Sequence, residues 1–155
     1  MSLYGLNESH RSGSQKLPYS NRALECDLTR VRETWRKSRR QHDRFSVYNF
    51  LAAVFDLVMV WHAEDHAIDR AKRALRLKGR PGGDHIDPFA AVIRCTSPRK
   101  KVDAKALSKW AHALRFAAEY KASSEPLEHF MRRRGGINAC AAELSRLSRT
   151  EIPTR

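Results

Sequence analysis

Cysteine is scarce in this chain. Cys26, Cys95 and Cys140 are an odd set, and no two lie close together. There is no CxxC pair, which excludes a zinc ribbon or a thioredoxin-like redox motif and leaves reduced thiols as the expectation. Long hydrophobic runs are missing too. The most apolar stretch, Phe50 to Trp61, is broken by Asp56 and falls well short of the roughly 20 residues a membrane-spanning helix needs. The opening MSLYGLNESHRSGSQKLPYS has no apolar leader core, so a soluble cytoplasmic protein with no membrane partner is expected. No GxSxG or HExxH occurs, and GRPGG at 79–83 lacks the GxxxxGK[ST] of a phosphate-binding loop. No RNP aromatic motif or zinc-finger spacing is present either. No cofactor is implied.

Acid is the other shortage. Lys and Arg number 30 against 17 Asp and Glu, giving a net charge of +13 and a pI near 10.3. Arginine outnumbers lysine. Such a balance favours polyanionic partners, and nucleic acid is the foremost of them.

What is present is helical periodicity. Leu24, Leu28, Val31 and Trp35 recur at +4, +3 and +4, one face of a helix from Asn21 to Asp43. Its other faces carry Arg30, Arg32, Arg36, Lys37, Arg39 and Arg40. A second helix is expected from a Ser46 cap to about Leu77, with a break admissible between 62 and 66. Its first half is apolar on several sides, as the central helix of a bundle would be. Its second half is narrow and basic: Arg70, Lys72, Arg73, Arg76 and Lys78. GRPGG should stop it. Asp87-Pro88 caps a short helix through Phe89, Val92 and Ile93, and Asp103 opens another to about Tyr120. A short helix follows from near Pro126 to Gly135-Gly136, and Asn138 is positioned to cap the last. Trp35, Trp61 and Trp110 fall in three different segments, which predicts one shared core. The expectation is therefore all-α: a compact bundle of about five helices over 20–155, with a flexible tail over 1–19.

Two constellations are candidates for chemistry. In WHAEDHAID, His62, Asp65, His66 and Asp69 stand at i, i+3, i+4 and i+7, one stripe of a continuous helix and competent metal ligands. Against a metal site, Ala63 occupies the place of the HExxH glutamate, and no second Glu-x-x-His helix exists to complete a di-iron bundle. A charged helix face is the simpler reading. The second is LEHFMRRRGGINACAAELSRLSRT, 127–150: a short helix, a glycine turn and a small-residue helix, the outline of a helix-turn-helix-like hairpin. Its last helix carries Arg146 and Arg149 late, whereas base readout is led by the first turn.

The sequence therefore points to a small regulatory or accessory protein that binds nucleic acid, DNA before RNA, through basic helical surfaces. The phosphate-contacting candidates are Arg36, Lys37, Arg39, Arg40, Arg73, Arg76, Arg132, Arg133, Arg134, Arg146 and Arg149. A homodimer is an admissible assembly, and nucleoid association would follow from DNA binding. The alternatives are a protein–protein adaptor for an acidic partner, for which scattered charge would speak, and a metal-dependent helical enzyme centred on the His62 stripe.

Overall fold

The computed structural model describes residues 18–41, 47–80, 82–98 and 100–150. These form seven helices and no strand: α1 (Asn21–Gln41), α2 (Val47–Ala63), α3 (Ala67–Leu77), α4 (Pro88–Thr96), α5 (Ala104–Tyr120), α6 (Leu127–Arg133) and α7 (Ile137–Thr150). The all-α expectation holds, with seven helices in place of about five. Most of the expected tail, and the Ser46 cap, lie outside the described residues.

The apolar periodicity explains the packing. Leu24, Leu28, Val31 and Trp35 are all buried, so α1 turns that stripe inward. α2 buries Tyr48, Phe50, Leu51, Val54, Phe55, Val58 and Trp61. It packs against every other helix except α7, the arrangement its all-round apolarity predicts. Trp35 meets Phe50 edge-on at 5.1 Å, and Trp110 approaches both rings at 6.3 Å. Trp61 is fully buried in the same core. Complete burial of side chains this large stabilises the fold by roughly 1.5–3 kcal/mol each.

Local chemistry sets the boundaries. Ser20, Asp87 and Asp103 each accept a backbone N–H in the first turn of α1, α4 and α5, from Ala23, Phe89 and Ala106. Three helices end in the same way, with a six-to-one bond, a five-to-two bond and one left-handed residue. α3 ends through Arg80 N–H to Leu75 O and Gly79 N–H to Arg76 O; α6 ends through Gly136 to Met131 and Gly135 to Arg132. Gly79 and Gly135 take φ of 63° and 99° there. α2 ends through His66 to Trp61 and Asp65 to His62. Here the left-handed residue is Asp65, φ 60°. Asp is tolerated in that conformation but gives no glycine signal. This break turns the long second helix into α2 and α3, inside the interval where a break was admissible.

The last helix starts two residues earlier than an Asn138 cap would set it. Cys140 N–H bonds Gly136 O, so Asn138 lies inside the first turn of α7 and does not cap it. α7 packs chiefly along α5.

At the other end of the chain, Tyr19 belongs to the packed structure. Its hydroxyl pairs with Asp27, its ring stands edge-on to Trp61 at 6.4 Å, and the Arg70 guanidinium covers it at 4.0 Å. Burial, with the Asp27 carboxylate adding to it, pushes the phenol pKa upward. Tyr19, the last residue of the stretch expected as a tail, docks on the core.

Candidate polyanion-binding groove

Because α1 commits Leu24 to Trp35 to the core, its basic residues must face outward. Arg32, Arg36, Arg39 and Arg40 stand at i, i+4, i+7 and i+8, so they share one side of the helix. That side forms one wall of a groove of about 540 Å³. The opposite wall comes from the end of α3, where the left-handed turn at Gly79 carries Lys78 and Arg80 round toward α1. The floor is the end of α4, Cys95 to Pro98, with the edge of Trp35. Six cations line the groove, and no acid is among its lining residues.

The cations differ in how far they are already engaged. Arg32 donates from Nη2 to the Cys95 carbonyl at 3.2 Å, which satisfies the exposed end of α4. Arg36 pairs with Glu33 at 2.8 Å, with both side chains about half exposed. Lys78 pairs with Glu25. Arg39 and Arg40 are exposed, and no acid pairs with either among the described residues. On the floor, Thr96 donates its hydroxyl to Val92 O at 2.7 Å and Ser97 to Ile93 O at 2.6 Å. Neither hydroxyl has a hydrogen left for a ligand. Burial pushes the Cys95 thiol up to about 11, although Arg80, Lys78, Arg94 and Arg32 pull the other way. It stays a thiol at neutral pH. The groove is therefore a set of guanidinium forks around a low-dielectric floor, a geometry that binds phosphate or carboxylate and offers no nucleophile.

The other predicted contact residues are not gathered here. Lys37 is exposed on α1, outside the groove lining. Arg73 on α3 donates to Asn21 Oδ1 at 2.9 Å, and Arg76 is exposed beside it. Arg132, Arg133 and Arg134 sit at the end of α6, and α1 packs on α2, α3 and α4, not on α6 or α7. Arg132 pairs with Glu128 at 3.2 Å. Arg133 reaches Glu125 with two nitrogens, at 2.7 and 2.9 Å. Arg134 lies 5.4 Å from the ring centres of both Phe116 and Phe130. On α7, Arg146 pairs with Glu143, and Arg149 is exposed. The Arg133 hydrogen bonds are the largest influence on Glu125, with His129 adding its own, and they hold the carboxyl down at about 2.

The His62 stripe does not form. With the helix broken at Asp65, the i to i+7 geometry is lost, and His66 becomes the residue that opens α3. His62 lines a different cleft with His85, Asp84, Asp87 and Glu119. Among the described residues no three His, Cys, Asp or Glu side chains are placed to hold a metal ion.

The groove was only partly legible. Arg32 could have been found, because it continues the Arg36 and Arg40 spacing one turn back. Lys78, Arg80 and the Cys95–Pro98 floor could not, because tertiary packing brings them to α1. No helix among the described residues is long and apolar enough to cross a membrane. No family model, curated protein or solved structure matches this chain.

Proposed function

We propose that this chain is a nucleic-acid-binding accessory or regulatory protein, with DNA its preferred partner, and that the α1 groove and its rim hold the phosphate backbone. One observation carries the reading: six cations from two distant stretches of sequence converge on one concavity that no acid lines. Arg32 to Arg40 rises about 12 Å along the helix at ~1.5 Å per residue. The phosphates of one duplex strand advance ~3.4 Å per nucleotide along the axis, so the stripe runs past about three or four of them. Nothing in the groove suits base-edge readout in a particular order, so recognition by charge and backbone shape, with weak sequence preference, is the corollary.

The test is binding to labelled random duplex DNA and to single-stranded RNA across a salt series. Neutralising about four to six phosphates predicts a slope of log affinity on log salt near −4 to −5 for duplex. Absence of binding to both at low salt would sink the reading. The adaptor alternative keeps one observation in its favour: the arginines at the end of α6 and Arg146 on α7 are scattered away from the groove, each beside an acid or an aromatic ring. Retention of an acidic protein, and not of nucleic acid, on the immobilised chain would favour it.

A further inference from the structure

We infer that the same groove is a binding site for a compact polyphosphate with three or more negative charges, which competes with nucleic acid for the Arg36–Arg40 wall. The inference rests on reading the groove as an anion site, but it needs no duplex.

Shape is the first argument. A duplex is a convex cylinder that meets the rim, whereas this groove has depth: Trp35, Cys95, Thr96 and Ser97 at its bottom are all buried. Its volume of about 540 Å³ lies within the roughly 300–1,000 Å³ of small-ligand sites. Charge is the second. Six cations line it and no acid does, and among the described residues Arg36 pairs with Glu33 and Lys78 with Glu25. Like charges held around a low-dielectric floor repel one another and focus a positive potential into the space between them. A ligand that spans both walls relieves that repulsion. A chain of three phosphates carries the charge and the acceptor oxygens to engage Arg36 and Arg39 on one side and the Lys78–Arg80 turn on the other, where a single phosphate offers fewer of both.

Orientation follows from the floor. The end of α4 presents carbonyls, and both of its hydroxyl hydrogens are taken. An anion is therefore repelled from α4 and drawn toward α1. Arg32, already donating to the Cys95 carbonyl, screens that negative helix end.

Titration calorimetry of the full chain with inorganic tripolyphosphate, a nucleoside triphosphate and orthophosphate tests this. One equivalent of each triphosphate per chain is expected, bound at least about tenfold tighter than orthophosphate. Arg36→Ala with Arg39→Ala should weaken it about 100-fold, as loss of two charge-assisted contacts implies, while Arg132→Ala with Arg133→Ala leaves it unchanged. Both pairs are exposed, so folding should survive and a matching circular dichroism spectrum checks it. A nucleoside triphosphate that binds more tightly than tripolyphosphate would place its base on the Trp35–Pro98 floor; equal affinity would assign the site to the phosphate chain alone, and either supports the inference. Several weak equivalents, or equal losses in both double variants, would overturn it. Duplex binding with no polyphosphate binding overturns this inference and spares the duplex reading; polyphosphate binding with no duplex binding does the reverse.

Discussion

Two regions of this protein carry arginine clusters, and they behave oppositely. Along α1, Arg39 and Arg40 face a groove that four further cations line, of which Arg36 pairs with Glu33 and Lys78 with Glu25. At the α6–α7 end, Arg132, Arg133 and Arg146 each lie against a carboxylate, and Arg134 lies near two aromatic rings. Charge content alone does not separate them, since RKSRR and MRRRG read alike. The difference lies in where the acids fall. Glu125 just precedes α6 and Glu128 lies in its first turn, so its arginines close a local clasp. Among the described residues of α1 no acid stands within a turn of Arg39 or Arg40; Asp43, four and three positions further on in sequence, lies outside the described residues. A run of basic residues is a binding surface only to the extent that its counter-charge is missing from its own neighbourhood.

The largest expected effect breaks that comparison directly. Arg36→Ala with Arg39→Ala should cost duplex binding about 100-fold at low salt and flatten the salt slope by about 1.8. The same change at Arg132 and Arg133 should alter affinity less than about threefold, because those arginines lie outside the groove, at the end of a helix that does not pack on α1. Fluorescence anisotropy at several salt concentrations measures both. Equal losses would place the contact at both ends and erase the distinction.

A smaller effect probes the groove floor by chemistry instead of charge. Cys95 is buried and its thiol is raised to about 11, whereas Cys26 is exposed. Only about one thiol in a thousand is ionised at pH 8 when its pKa is near 11, and the thiolate is the reacting form. Alkylation of native protein should modify Cys26 at least about tenfold faster than Cys95, as peptide mass mapping over time would show. Rapid labelling of Cys95 would mean that the floor opens, and the groove would lose its rigid base.

These contrasts show which parts of the molecule could be read in advance. The buried stripe from Leu24 to Trp35, the Asp87 and Asp103 caps and the stops at Gly79 and Gly135 were legible, because each is a short-range pattern with one physical solution. The break at Asp65 carried no signal beyond an admissible interval. Its closure resembles the one at Gly79, but with a residue that elsewhere sits comfortably inside a helix. Without that break, His62 to Asp69 looked like one ligand stripe. The Arg133–Glu125 clasp was hidden for another reason. Its partners are eight residues apart, outside the i+3 and i+4 spacing, and meet because Glu125 precedes α6 while Arg133 ends it. The groove depends on residues some forty to sixty positions apart in sequence, as the Arg32 to Cys95 bond illustrates, and periodicity has no access to that distance.

The clasp yields the next effect. The carboxyl of Glu125 is held near 2 in the fold, below its ordinary 4.5, chiefly by Arg133 and then by His129. A depressed carboxylate contributes stability that is present in full above the unfolded value and is lost as pH falls toward the folded one. Thermal unfolding followed from pH 6 to pH 2 should therefore fall across about 4.5 to 2, and Glu125→Gln should remove part of that dependence. At pH 7 the same substitution frees Arg133, and duplex affinity should rise, by less than about threefold. An unchanged pH profile would mean that the clasp does not hold in solution, and the α6 arginines would then count as available cations.

The smallest effect concerns α7, where the comparison is most exposed to failure. Arg146 and Glu143 form an i, i+3 pair with both side chains well exposed. Such pairs contribute little, so Arg146→Ala should leave the midpoint of denaturant unfolding almost unchanged. Its effect on duplex affinity should be equally slight. α7 buries Cys140 and Ala141 and runs along α5, so its first turns are occupied by packing. A recognition helix leads with those very turns. If Arg146→Ala with Arg149→Ala instead weakened DNA binding as much as the α1 pair, base contact would have to come from the late, exposed part of α7. The groove would then be an anchor for phosphates beside a second reading surface, and the two clusters would be halves of one interface, no longer opposites.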